Sequence, residues 1–263
     1  RKEADAVRVV SGAYRGKTTG TPLCGLIENT NTRSEDYAEI ESLARPGHAD
    51  YTGHLRYGGH NDPRGGGHFS GRLTAPLVFA GALARLYLRE LGVEVAAHIA
   101  SIGHVQALSF DPVGVGREDL AALRAAAFPL VDPSQEAGMR AVVEEARKDR
   151  DSVGGVVECA AVGLPGGWGD PFFDSLESRV AQLIYSVPAV KGLEFGSGFN
   201  MASLRGSRTN DPFRIENGEV ITSSNHNAGV NGGISNGMPM ICRVAFKPTP
   251  SIRKTTTTLE SFP

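Results

Sequence analysis

The chain has 263 residues, of which 33 are glycine, and 27 Lys and Arg against 29 Asp and Glu give a formal net charge of −2. That balance argues against general nucleic-acid or membrane-surface binding, and no stretch approaches the roughly 18 apolar residues of a membrane span. Cys24, Cys159 and Cys242 are too widely spaced for a disulfide framework or a zinc knuckle. They read as small buried apolar residues of a reducing compartment, so a cytoplasmic protein is the expected class.

Residues 7–14 are predicted as a strand, and residues 23–28 as a second one after the Thr-Gly-Thr-Pro turn. Residues 45–74 then hold eight Gly, two Pro, four His and four Arg with no apolar periodicity. This run is predicted as loop, and its length makes it a binding or active-site segment. Its donors, Arg45, His48, Arg64, His68 and Arg72, suit an anionic ligand, because guanidinium forks and backbone N–H groups match phosphate and carboxylate oxygens. Residues 75–91 are predicted as a helix, with Pro76 in its first turn and Gly92 after its last. Being apolar nearly all round, it is expected to be buried on more than one face.

Residues 93–105 read as a strand and residues 110–135 as a surface insertion. Asp132-Pro133-Ser134-Gln135 has the chemistry of a capped helix start, running to about Lys148. A strand over 154–162 and an amphipathic helix over 172–185 follow, and strands and turns fill the rest, most clearly at 220–222 and 238–246. The irregular alternation predicts a mixed α+β arrangement with mostly antiparallel pairing and a buried helical layer. Residues 1–263 are read as a single domain.

Three motifs invite chemistry and fall short of it. Gly12-Ala-Tyr-Arg-Gly16-Lys17-Thr18 is one residue short of a phosphate-binding loop and leads into T-G-T-P, not into a helix, which disfavours a nucleotide hydrolase. Gly233-Ile-Ser235-Asn-Gly237 fits a nucleophile elbow, but the strand-like segment that follows makes it a turn. His48, His54, His60 and His68 lack the spacing of a helical ligand pair and have no cysteine nearby, so no metal is expected. What distinguishes His48 is its company, Arg45 three residues before and Asp50 two residues after.

The segments S-G-A-Y-R-G-K-T-T-G-T-P (11–22), I-E-N-T-N-T-R-S-E-D-Y (27–37), R-P-G-H-A-D-Y-T (45–52), S-V-P-A-V-K-G-L-E-F-G-S-G-F (186–199), N-G-G-I-S-N-G (231–237) and K-P-T-P-S-I (247–252), in this order, resemble chorismate synthases. The resemblance covers nearly the whole chain. It implies a sandwich of antiparallel sheets around buried helices, a homotetramer, and a carbon–oxygen lyase of aromatic biosynthesis. Such a lyase converts 5-enolpyruvylshikimate 3-phosphate to chorismate by anti-1,4 elimination of phosphate, and it requires reduced FMN, with NADPH a possible source of the electrons.

Carried over by position, Arg45 and Arg72 match substrate-binding arginines, and His48 matches a histidine that acts as acid/base and stabilises reduced flavin. Where the family has R-S-S-A-R-E-T this chain has H-F-S-G-R-L-T at 68–74, so His68, Phe69 and Ser70 occupy flavin positions, and Phe69 could lie against flavin or protein. Pro188, Ala189, Gly232, Lys247, Pro248, Thr249, Pro250 and Ser251 match the remaining FMN-contacting positions. The family's G-E-S-H-G and G-R-H-D-P-C segments are not in the chain, which is therefore expected to be the internal part of a longer protein. The alternative is a non-catalytic flavin- or anion-binding relative.

Overall fold

The computed structural model describes residues 4–29, 43–62 and 64–254. Residues up to Ala84 belong to one compact unit and Arg85–Lys254 form a second. Of the family-like segment at 27–37, residues 30–37 lie outside the described residues.

In the first unit, β1 (Val7–Ser11) pairs antiparallel with β4 (Cys24–Ile27), and β2 (Ala13–Tyr14) with β3 (Lys17–Thr18) forms a hairpin. The strand expected over 7–14 breaks at Gly12, which has φ +80° and lies so close to Leu23 that an added Cβ would sit 2.5 Å from its Cα. Gly12 to Thr18 is thus a strand–turn–strand unit, without the helix N-terminus a phosphate loop needs. Cys24 is exposed, contrary to the buried reading, because the two-stranded sheet leaves its face uncovered among the described residues.

The stretch predicted as unbroken loop instead holds α1 (Asp50–Tyr57) and two 3-10 turns, Arg64–Phe69 and Gly71–Leu73. Asp50 in the first turn and Arg56 in the last complement the helix dipole, and Gly58 closes it in the left-handed conformation. Gly53 sits inside α1 because the Phe69 ring occupies the place of its missing side chain; a Cβ there would come within 2.7 Å of the ring. α2 (Thr74–Glu90) forms where expected, but none of its residues is buried. Val78 and Tyr87 remain 70% and 66% exposed, so the expected burial on several faces is not met among the described residues.

The second unit is built on a five-stranded antiparallel sheet of β5 (Glu94–Ile102), β6 (Val105–Gln106), β7 (Gly155–Val162), β8 (Val190–Phe195) and the last strand, β13 (Met240–Phe246), in the order β6-β5-β7-β13-β8. Residues 110–135 are no surface insertion. They carry α3 (Arg117–Ala125), whose Leu120 and Leu123, three apart on one face, join Phe110 and Val115 in a core against Ala96, Ala160, Val162 and Ile241. The other cluster gathers Val93, Ala161 and Leu164 with Leu88, Trp168, Leu176 and Met240 packed against it.

Asp132 caps its helix start as expected, accepting from the Ser134 N–H at 3.0 Å, and α4 (Glu136–Lys148) follows. The helix expected over 172–185 is a 3-10 turn and then α5 (Leu176–Tyr185), because Ser175 Oγ accepts from the Ser178 N–H at 3.1 Å and restarts the chain there. β9 (Phe213–Glu216) with β10 (Glu219–Thr222), and β11 (Val230–Asn231) with β12 (Ile234–Ser235), are small hairpins. Ser235 lies in β12 itself, not in the turn expected for Gly233–Gly237, and among the described residues no helix follows it, so the motif is not a nucleophile elbow.

Facing each other across β5 and β7, His98 and Glu158 are buried with 2.8 Å between Nε2 and Oε2. The same carboxylate oxygen accepts from the Phe110 N–H at 2.8 Å, tying the start of the α3 layer to the sheet.

Candidate functional site

Arg45, His48 and Asp50 come together at the entry to α1. The Arg45 guanidinium donates through Nε to Asp50 Oδ2 and through Nη2 to Oδ1, both at 2.8 Å, and the Arg45 backbone N–H adds a third bond at 3.0 Å. Burial pushes the Asp50 carboxyl up, but the hydrogen bonds and charge of Arg45, with His48 adding to them, outweigh it and hold the group below the usual carboxylate range. A fork–fork pair uses two of the five guanidinium N–H groups and fixes the plane of the rest.

His48 Nδ1 lies 3.1 Å from the Pro46 carbonyl oxygen, and the His48 N–H donates to the Arg45 carbonyl at 3.2 Å. A carbonyl only accepts, so Nδ1 carries the proton and Nε2 is the basic atom of the neutral ring.

Arg72 is held by three contacts. Its backbone N–H donates to Ser70 Oγ at 3.2 Å, Nη1 pairs with Asp5 Oδ1, and Nη2 donates to the Glu28 carbonyl at 3.1 Å. Ser70, expected at a flavin position, caps the 3-10 turn that carries Arg72. Phe69 lies on protein, against Gly53 and 6.4 Å from the Tyr57 ring centroid, while staying 44% exposed. His68 is exposed at the end of the preceding turn. Among the described residues no cluster of His, Cys, Asp and Glu could hold a metal ion.

In the second unit the antiparallel pairing of β8 with β13 brings residues 188–189 beside the 247–251 run. The Lys247 N–H donates to the Ala189 carbonyl at 3.0 Å, and Ala189 adopts φ +72°, rare for a residue with a side chain. Pro248 packs on Gly154, the Thr249 carbonyl accepts from Ser152 Oγ at 2.7 Å, and the Ile252 N–H donates to the Pro250 carbonyl at 2.9 Å, so the run is pinned along its length. Ser251 is exposed beside it.

Gly232 is the first turn residue of the β11–β12 hairpin, with φ +61°; Gly233 follows at +83°. Among the described residues nothing lies within 4 Å of where a Gly232 Cβ would be, which leaves room beside its backbone. The hydrogen bonds of that hairpin run to the start of α5 and to Trp168, not to the 247–251 run.

The partners that the sequence reading missed are Asp5 and Glu28, 67 and 44 residues from Arg72. No local spacing signals a pairing that far apart; a carboxylate opposite a buried-leaning arginine becomes visible only in three dimensions.

The chain is thus an antiparallel α+β protein in which carboxylates orient two arginines, and a backbone carbonyl a histidine, within residues 45–72. The family model described as chorismate synthase matches residues 1–262. The chorismate synthase of Thermococcus kodakarensis is 46% identical over 255 residues, covering 96% of this chain and 69% of that protein. Those of Dehalococcoides mccartyi (45% over 261 residues, 96% and 68%) and Korarchaeum cryptofilum (45% over 262 residues, 99% and 71%) are similar to it as well. A crystal structure of a chorismate synthase superposes with a TM-score of 0.76 at 28% identity, covering 92% of this chain and 70% of that one. The chain belongs to the chorismate synthase family, and its mixed fold of antiparallel sheets and helices is the family's.

Proposed function

We propose that Arg45 and Arg72 clamp the anionic groups of the substrate of a chorismate synthase, that His48 is its acid/base residue, and that His68, Phe69, Ser70, Pro188, Ala189, Gly232 and residues 247–251 hold FMN. The chain is a carbon–oxygen lyase of the shikimate pathway, acting on a small molecule. By the family's chemistry the substrate is 5-enolpyruvylshikimate 3-phosphate and the product chorismate.

The single observation that carries the residue assignment is the Arg45–Asp50 pair with His48 between them. A guanidinium held in one plane receives a carboxylate or phosphate with little further ordering, and orientation of this kind lowers a barrier without any change in the chemistry. Arg72, held by Ser70, Asp5 and Glu28, is oriented in the same sense. His48 Nε2 takes up a proton while Nδ1–H stays on Pro46, and the resulting imidazolium stabilises negative charge that builds next to it.

The residues present fit a flavin mononucleotide. The Lys247 ammonium and the Thr249 and Ser251 hydroxyls suit a phosphate or an electron-rich ring edge, and the open backbone at Gly232 admits close approach. Bound in its reduced form, FMN supplies electron density to the allylic system as the carbon–oxygen bond breaks. NADPH enters this reading as an external reductant, and no residue is assigned to it.

Large apolar side chains left exposed, among them Phe172, Phe173, Phe199 and Ile215, support a self-associating protein, which we read as a homotetramer. No described helix is long and apolar enough to cross a membrane, and the biosynthetic family supports a cytoplasmic location. Anaerobic incubation with reduced FMN and substrate tests the whole reading: chorismate absorbance and released phosphate should rise together. FMN binding without phosphate release would instead favour a non-catalytic relative.

A further inference from the structure

Away from these residues the second unit carries an open surface hollow of about 330 Å³ between the 204–212 and 223–226 segments, with Leu204 and Pro212 as its apolar lining. Ser207, Arg208, Asn210, Ser223, Ser224 and His226 supply its polar lining, and no carboxylate lines it. Among the described residues the Arg208 guanidinium forms no ion pair, unlike Arg45, Arg72, Arg124 and Arg243.

The walls are built, not incidental. Asp211 gathers both segments: Oδ1 accepts from Ser224 Oγ and the His226 N–H, each at 2.8 Å, and Oδ2 from the Asn227 N–H at 2.9 Å and Asn227 Nδ2 at 2.8 Å. Both oxygens of this carboxylate are thereby engaged within the wall, and the residue does not line the hollow. The Ser223 N–H donates to the Pro212 carbonyl at 3.0 Å and closes the rim. His226 shares a 2.7 Å hydrogen bond with Ser197 through Nδ1, which leaves Nε2 without a partner among the described residues.

We propose that this cavity binds a phosphate-class oxyanion, with Arg208 as the charged ligand, His226 Nε2–H as a second donor, and the Ser207 and Ser223 hydroxyls completing the shell. A guanidinium, an imidazole N–H and hydroxyls in a hollow free of carboxylates are the donor set that tetrahedral oxyanions select. In the tautomer in which Ser197 Oγ donates to Nδ1, the neutral ring carries its proton on Nε2 and offers it to the anion. Two sources share this chemistry, free inorganic phosphate and the phosphomonoester of a small metabolite. The proposal does not rest on the assignment of Arg45, His48 and Arg72.

The test uses the full chain carrying Arg45→Ala and Arg72→Ala, so that the proposed substrate clamp does not contribute, and titrates it calorimetrically with inorganic phosphate and separately with glycerol 3-phosphate. Adding Arg208→Ala, an exposed position whose loss should leave the circular dichroism unchanged, should weaken binding about tenfold or more, as loss of a charge-assisted hydrogen bond does. His226→Gln, which keeps an N–H donor, should weaken it less. Loss of inorganic phosphate binding alone assigns the cavity to the free ion, loss of ester binding alone to the phosphomonoester, and loss of both to either. Binding that Arg208→Ala leaves unchanged, or no binding of either anion before that substitution, overturns the proposal.

Discussion

The Arg45 guanidinium and the Asp50 carboxylate form a two-pronged pair across the entry to α1, both prongs 2.8 Å long. Asp50 sits in the first turn of that helix, so one carboxylate both complements the dipole and aims the arginine. Asp50→Asn keeps the shape but withdraws the charge. We predict a rise in substrate KM with the kcat of the saturated enzyme less affected, because the arginine remains but loses its fixed plane. A kcat that falls while KM holds would place Asp50 in the chemical step.

The same pair sets an acid limit. The Asp50 carboxyl lies below its ordinary value in the folded chain, so its contribution to stability is complete above the unfolded pKa of roughly 3.9 and is lost as pH falls through the lower, folded value. Asp211 behaves alike: burial raises it, and hydrogen bonds from Asn227, His226 and Ser224 more than offset that. Chemical denaturation between pH 3 and pH 7 should show stability falling at the acid end, more shallowly in Asp50→Asn. A slope identical in the two proteins would remove Asp50 from the acid response.

Arg72→Ala should weaken substrate binding more than FMN binding, whereas Ser70→Ala should weaken both, since Ser70 Oγ holds the Arg72 turn and Ser70 stands at a proposed flavin position. Parallel titrations with each ligand decide this. A larger effect of Arg72→Ala on FMN would move Arg72 to the cofactor.

Much of this was legible before any coordinates, and the gaps have physical causes. The nearness of Arg45, His48 and Asp50 is local, and the capped helix at Asp132 is written in four consecutive residues. Residues 110–135 were misread because Gly, Pro and Asp punctuate them, which hides the Leu120–Leu123 face that the sheet buries. The short α1 was missed because its one buried position is a glycine, filled by Phe69 from sixteen residues on. Long-range partners such as Asp5 for Arg72, or Glu158 for His98, depend on register and carry no local mark.

That last pair should dominate the core. His98 Nδ1 faces the Ile99 carbonyl at 3.2 Å and Nε2 faces Glu158 at 2.8 Å, so both ring nitrogens meet oxygen acceptors. Removing one partner leaves the other buried and unmatched, and we predict that His98→Ala costs about 3–5 kcal/mol by urea denaturation. The double variant His98→Phe, Glu158→Leu should recover part of it. A cost under about 1 kcal/mol for the single change would mean water replaces the imidazole.

The most direct measurement is anaerobic turnover of 5-enolpyruvylshikimate 3-phosphate with reduced FMN, comparing His48→Ala with the unaltered residue in otherwise identical protein. We predict an unchanged unfolding midpoint and a loss of turnover of at least ~10²-fold, the scale of a lost general acid/base. Equal turnover in the two would contradict the assignment of His48, and with it the reading of the α1 entry as the reacting site.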